Sequence, residues 1–261
     1  MVTTNAICIK YGSAYGPDYV NRLWAGLGRN TASPLRFFCM TDDRTGLRPE
    51  IEILPLPQEP FHDRMFEALR KAPKFGRLQK VSLFRPDLIP DLEGSLLVFD
   101  IDVVITGSID ALRDFAPGKV SMRREWKASA ANGALGHGSV EKFHPDRHGY
   151  LYEEMARDPE GAVAFGMGSE QTYTSRLADR HNDFEPFPDE WIVSFKYDCR
   201  PAKPLNLFLP PRLPRDARVV CFHGRPKMEE AVAGYRAGLR STRPCAWLRD
   251  AWIGTELGAR P

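Results

Sequence analysis

The chain is 261 residues long, 43% hydrophobic and 27% charged, a balance that excludes a disordered protein and leaves room for a sizeable core. Its 36 Lys and Arg are nearly cancelled by 34 Asp and Glu, and a formal net charge of +2 is too small to imply a nucleic-acid partner. There is no apolar run long enough to cross a bilayer, and the first ten residues, which lack a basic region followed by a long apolar run, are expected to enter a strand directly and not to form a leader. The five cysteines are scattered without Cys-x-x-Cys spacing, so reduced thiols and a cytoplasmic setting are expected.

Taken in chain order, the first half alternates. Ala6 to Lys10 reads as a strand, Asp18 to Leu27 as an amphipathic helix capped by Asp18, Leu35 to Met40 as a second strand and Ile51 to Leu54 as a third. The Pro-rich, charged stretch from Pro55 to Phe75 predicts a mobile loop or lid. Arg77 to Phe84 predicts a short helix and Ser95 to Phe99 a fourth strand. Strands interleaved with helices imply a mainly parallel sheet covered on both faces. In the second half, Val120 to Met122, Ala130 to Leu135 and Val219 to Phe222 read as strands, and Tyr150 to Arg157 and Gln171 to Ala178 as helices.

The fourth strand runs into Asp100-Ile101-Asp102. Alternate side chains of an extended segment share a face, so both carboxylates point one way while Ile101 enters the core. Hard oxygen donors held among apolar neighbours suit Mn²⁺ or Mg²⁺, which would in turn neutralise a diphosphate. A late apolar strand leads to His223-Gly224-Arg225-Pro226-Lys227, where an imidazole could join the metal shell and a cation could hold phosphate oxygens.

Weaker signals stand at other strand ends. Asp42 could accept hydrogen bonds from a base or ribose, or serve a turn; Tyr11 and Tyr15 could stack on a base. Lys80 reads either as a phosphate contact or as an exposed helix lysine. Ser169-Glu170-Gln171 reads either as a sugar contact or as a helix start. His144 and His148 read as structural. In the tail from Tyr235 to Trp252, Arg236, Arg240, Arg243, Arg249, Trp247 and Trp252 could meet an anionic membrane surface, or the Trp rings could dock on the core.

With these elements in order the chain resembles the GT-A-fold, family-eight-like glycosyltransferases that use nucleotide-sugar donors, in an uncharacterised bacterial branch. The likeness rests on Tyr-Gly-x-x-Tyr-Gly from Tyr11, Phe-x-Cys-x-Thr-Asp-Asp, Lys80-Val-Ser-Leu-Phe, Val98-Phe-Asp-Ile-Asp, Glu170-Gln171 and Phe222-His-Gly-x-x-Lys. It implies one α/β GT-A domain over 1–261, with a nucleotide-binding half (1–110) and a sugar and acceptor half (111–261) ending in a helical tail. It implies Mn²⁺ or Mg²⁺ on Asp100, Asp102 and His223, and a nucleobase contact at Asp42. Lys80 and Lys227 would address the diphosphate or sugar, and Asn132 and Gly133 would line the sugar pocket. Glu170 and Gln171 would lie beside the reacting carbon, with Glu170 in place of the usual Asp. Tyr11, Tyr15, Ile101 and Gly224 complete the expected nucleotide-binding set.

The implied activity is hexosyl transfer from a UDP-sugar to a glycan or lipid acceptor, with the anomeric configuration retained. The implied location is cytoplasmic, with the Arg/Trp tail as a candidate peripheral contact at the inner face of the membrane. Two rival readings remain open at this level: a haloacid-dehalogenase-like phosphatase, with Asp100 as nucleophile and Asp102 as acid, and a nucleotide-sugar-binding module without catalysis.

Overall fold

A computed structural model describes residues 2–72, 79–126 and 134–254. Four strands run parallel in the order β3-β2-β1-β4: β1 (Thr4–Lys10), β2 (Leu35–Thr41), β3 (Glu52–Pro55) and β4 (Leu96–Phe99). After β5 (Val103–Ile105), β6 (Ser121–Arg124) and β7 (Gly136–Phe143) extend this sheet, β7 antiparallel to both β4 and β6. A second sheet of order β5-β9-β8 is made with β8 (Ile192–Ser194) and β9 (Val219–Cys221).

The central strands read as continuous apolar runs because both faces are covered. Alternation sends Ala6, Cys8, Phe37, Cys39, Leu97 and Phe99 to one face, where they pack with Val20, Leu23 and Leu27 of helix α1 (Pro17–Arg29). Ile7, Phe38, Met40, Leu96 and Val98 face the other way. There they meet α2 (His62–Lys71), a 3₁₀ turn (Gln79–Phe84), α4 (Tyr150–Arg157), α5 (Pro159–Phe165) and α6 (Glu170–Arg180). The short α3 (Asp110–Asp114) precedes β6. A third apolar cluster joins Val104, Val193 and Val220 of the second sheet to Met228 and Ala231 of α7 (Met228–Ala233), Leu248 of α8 (Ala246–Leu248), and Trp252.

Three expectations are corrected. The stretch from Pro55 holds α2, whose Met65 and Leu69, four residues apart on one helix face, are buried in the core; its prolines fall outside the helix. The strand expected over Ala130 to Leu135 begins at Gly136 among the described residues, and residues 130–133 lie outside them. Helix α1 starts from Gly16 with Pro17 in its first turn, and Asp18 sits in that turn near the positive end of the helix dipole instead of capping it. All five cysteines are free and buried. Among the described residues no helix is long and apolar enough to cross a membrane.

Candidate active site

The main sheet ends at Phe99, and the chain turns through Asp100 to Asp102 before β5 enters the second sheet. Two backbone hydrogen bonds clamp this turn. The Asp100 N–H donates to the Ser139 carbonyl of β7 at 2.9 Å, and the Phe222 N–H donates to the Asp102 carbonyl at 3.1 Å. Because Val103 pairs with Cys221, the residue two beyond that cysteine, His223, is delivered to the acidic turn although it lies 121 positions from Asp102. The turn stands at the carboxyl ends of parallel strands, where open α/β sheets bind ligands.

A buried charge network lies beneath the turn. The Lys80 ammonium is 2.7 Å from Asp100 Oδ1 and 3.6 Å from Glu141 Oε1, and it donates to the Gly138 carbonyl at 2.5 Å. Burial alone would lower its pKa, but Asp100, Glu141 and Glu170 outweigh that and raise it, so Lys80 stays cationic. Glu141, 1% exposed, sits beside the buried Glu170. Both are raised above the ordinary carboxyl range, chiefly by burial. Gly138 lies between them: a Cβ there would come within 3.1 Å of a carboxyl oxygen of each.

Around the turn the expected residues take differing places. Tyr15 donates its hydroxyl to Asp102 Oδ2 at 2.9 Å, and the Lys227 ammonium lies 4.2 Å from the centre of the Tyr15 ring. Tyr15 is thus bound into the acidic site through its hydroxyl. Asp42 is exposed and accepts from the Gly12 N–H at 3.1 Å, and Tyr11, beside it in sequence, is also exposed. Ile101 is buried as its alternation requires. Gly224 has φ of +74°, a left-handed turn that favours glycine, and the space a Cβ would take is open.

Gln171, at the start of α6, accepts from the Gly138 N–H at 3.2 Å and donates to Glu125 at 2.8 Å. Its neighbour Glu170 turns inward, accepting from Thr174 at 3.0 Å. Gly138 of β7 is thus one residue that meets Gln171, and Asn132 and Gly133 lie outside the described residues. Sequence reasoning missed Glu141, His137 and Trp126. Glu141 and His137 lie in a polar strand and Trp126 in the link before it, and their partners come from distant segments, so no local signal marked them.

His223 sits in an aromatic corner, its ring centre 4.9 Å from His137 and 4.7 Å from Trp126. Burial, with His137 beside it, holds its pKa down at about 4, so the ring is neutral at pH 7. Its Nε2 is buried without a hydrogen-bond partner. Burial, with Asp100 next to it, pushes the Asp102 carboxyl up to about 6. Among the described residues, no three His, Cys, Asp or Glu side chains converge as a preformed metal cage. The donor set still fits a cation: a neutral imidazole nitrogen without a partner, and two carboxylates whose mutual repulsion a cation would relieve.

The tail's tryptophans are turned inward. Trp252 is buried in the third cluster, and Trp247 donates from Nε1 to the Pro211 carbonyl at 3.1 Å. His144 and His148 are structural: Gly118 N–H donates to His144 Nε2, and His144 N–H donates to His148 Nδ1.

The mostly parallel sheet, its two antiparallel strands and the acid-bearing turn at its carboxyl edge give this chain the fold of the GT-A glycosyltransferases. The likeness extends over 86% of this chain and 89% of the galactosyltransferase LgtC in complex with donor and acceptor sugar analogs, at a TM-score of 0.59 and 12% identity. An active-site Gln-to-Glu mutant of LgtC matches over 96% of this chain and 99% of its own, with a TM-score of 0.60 and 12% identity. Mouse xyloside xylosyltransferase 1 in its apo form matches over 87% and 99%, with a TM-score of 0.52 and 11% identity. No family model and no curated protein matches the sequence.

Proposed function

We propose that this protein is a metal-dependent glycosyltransferase that moves a sugar, a hexose in the first instance, from a nucleoside-diphosphate donor, with UDP-sugars favoured, to a glycan or lipid acceptor. The observation that carries the reading is the Asp100–Asp102 turn at the carboxyl edge of a GT-A sheet, with Lys80 paired to Asp100, Tyr15 bound to Asp102, Lys227 over Tyr15, and the strand that leads to His223 paired beside it. A site for a diphosphate needs a small, hard cation or fixed ammonium groups, and this edge offers ligands for the first and supplies the second.

Asp102, His223 and the acidic group of Asp100 would hold Mn²⁺ or Mg²⁺, which when bound supplies Lewis-acid stabilisation of charge on the departing nucleoside diphosphate. The chain's own residues do the rest. Lys80, anchored by Asp100 and the Gly138 carbonyl, sets a fixed positive charge under the site, and Lys227 over Tyr15 sets a second one at its rim. Asp42, Tyr11 and Gly224 would border the nucleoside. Gln171, held by Gly138 and Glu125, would face the sugar, and Glu170, turned inward, would act through Gly138 and Lys80; Asn132 and Gly133 remain candidates for the same pocket.

The phosphatase alternative loses its support because the strand bearing Asp100 is flanked by antiparallel β7 in a GT-A sheet. The test is a thermal-shift panel of UDP, GDP, CMP and ADP with their sugar conjugates, each with Mn²⁺ and with EDTA. A ligand at a hundred times its Kd stabilises the fold by about 2.7 kcal/mol. The expected result is a Mn²⁺-dependent shift with one nucleotide class that Asp102→Asn abolishes. No shift with any nucleotide would refute the reading.

A further inference from the structure

The segments 199–215 and 231–249 each carry four basic residues and no Asp or Glu: Arg200, Lys203, Arg212 and Arg215 in the first, Arg236, Arg240, Arg243 and Arg249 in the second. The fold stitches them together. Asn206, fully buried, donates from Nδ2 to the Leu239 carbonyl at 3.2 Å and to the Ser241 carbonyl at 2.6 Å, and Arg200 donates to the Arg240 carbonyl at 3.0 Å. On this joined surface four large apolar side chains stand in solvent: Phe208 is 71% exposed, Leu239 58%, Leu205 52% and Leu209 41%. Four of the ten large apolar side chains exposed among the described residues thus gather on two adjacent segments.

We propose that this basic, apolar-tipped face docks the protein on an anionic lipid surface, with Phe208, Leu205, Leu209 and Leu239 entering the headgroup boundary and the arginines meeting lipid phosphates. Exposed leucine and phenylalanine on segments whose only charged residues are cations is the composition such a boundary takes. A second copy of the chain is disfavoured as occupant, because a two-fold pairing of this face would set cations against cations. A single strand of nucleic acid would find one ring, that of Phe208, beside three aliphatic tips that offer no stacking platform. The first loop follows directly from the Phe195–Cys199 turn, where the Tyr197 ring lies 6.3 Å from that of His223, so the docking face begins at the rim of the candidate site. The C-terminal tryptophans do not form this face but support it from within, Trp247 donating to the Pro211 carbonyl of the first segment.

The experiment is co-sedimentation of the full chain with vesicles of phosphatidylcholine alone and with about one third phosphatidylglycerol. Anionic vesicles should carry the protein down, neutral ones much less, and raised salt should weaken the effect. Phe208→Ser with Leu239→Ser, and separately Arg240→Glu with Arg243→Glu, should each lower partitioning by about tenfold or more. All four positions are exposed, so melting temperature should hold and serves as the folding control. No sedimentation with anionic vesicles, or equal sedimentation of the variants, would overturn the proposal. So would a dimer that forms in place of vesicle binding and is broken by the Phe208/Leu239 variant. No nucleotide is needed, so this result stands apart from the glycosyl-transfer test.

Discussion

Asp102 combines two properties that rarely meet in an exposed loop: its carboxyl is raised to about 6 by burial and by Asp100, and it accepts from Tyr15. In its proposed role as a metal ligand Asp102 must be deprotonated, so Mn²⁺ affinity should fall as pH drops below about 6, which isothermal titration at pH 5 and pH 7.5 will measure. Asp102→Asn should remove that pH dependence and lower any turnover by at least about a hundredfold. Lys80 is the second residue to test. It is the cation facing Asp100, Glu141 and Glu170, and Lys80→Met should leave buried carboxylates uncompensated, costing about 3–5 kcal/mol in urea unfolding. An unchanged midpoint would mean that the network relaxes into solvent. The Asp-x-Asp pair was legible from its apolar flanks alone. The partners of Lys80 were not, because its sequence neighbours suit an exposed helix as well as a buried anchor.

Among the elements, α2 and β7 depart furthest from their local sequence. Met65 and Leu69 reach the core through a helix embedded in charged, Pro-flanked sequence, so the apolar stripe is only two residues wide and local polarity hides it. Leu69→Ala should destabilise the protein by about 2–5 kcal/mol, the cost of a core cavity; a mobile loop would lose almost nothing, and the denaturation midpoint separates the two. β7 is the converse case. Its Glu141 and Lys142 are buried in a strand whose sequence reads as polar, because Lys80 and Glu170 face the first and the Phe115 and Ala116 carbonyls accept from the second. Hydrogen-bond partners from distant segments stand in for apolar character, and no periodicity within the strand reports them.

For the whole molecule, acid stability should carry the signature of His148, which is fully buried, accepts from the His144 N–H, and is held down to about 4 by burial. Its folded pKa lies below its unfolded value near 6.5, so the unfolded chain binds the proton more tightly. The contribution is complete above about pH 6.5 and is lost as pH falls towards 4, up to about 3 kcal/mol. Unfolding curves at pH 7 and pH 4.5 for the native chain and His148→Phe should differ in slope with pH by this amount, and parallel curves would remove His148 as the cause. The sequence by itself determined the parallel core strands, the α1 stripe, the acidic turn and the late His-Gly turn, because each is written in residues within a few positions of one another. Only the tertiary structure decided that β7 runs antiparallel beside β4, that Cys221 in β9 pairs with Val103 and so brings the His223 turn to the edge that carries Asp102, and that Glu141 and Glu170 are buried around Lys80. Those arrangements depend on strand order and burial, which form between segments tens to more than a hundred residues apart and leave no local pattern to read.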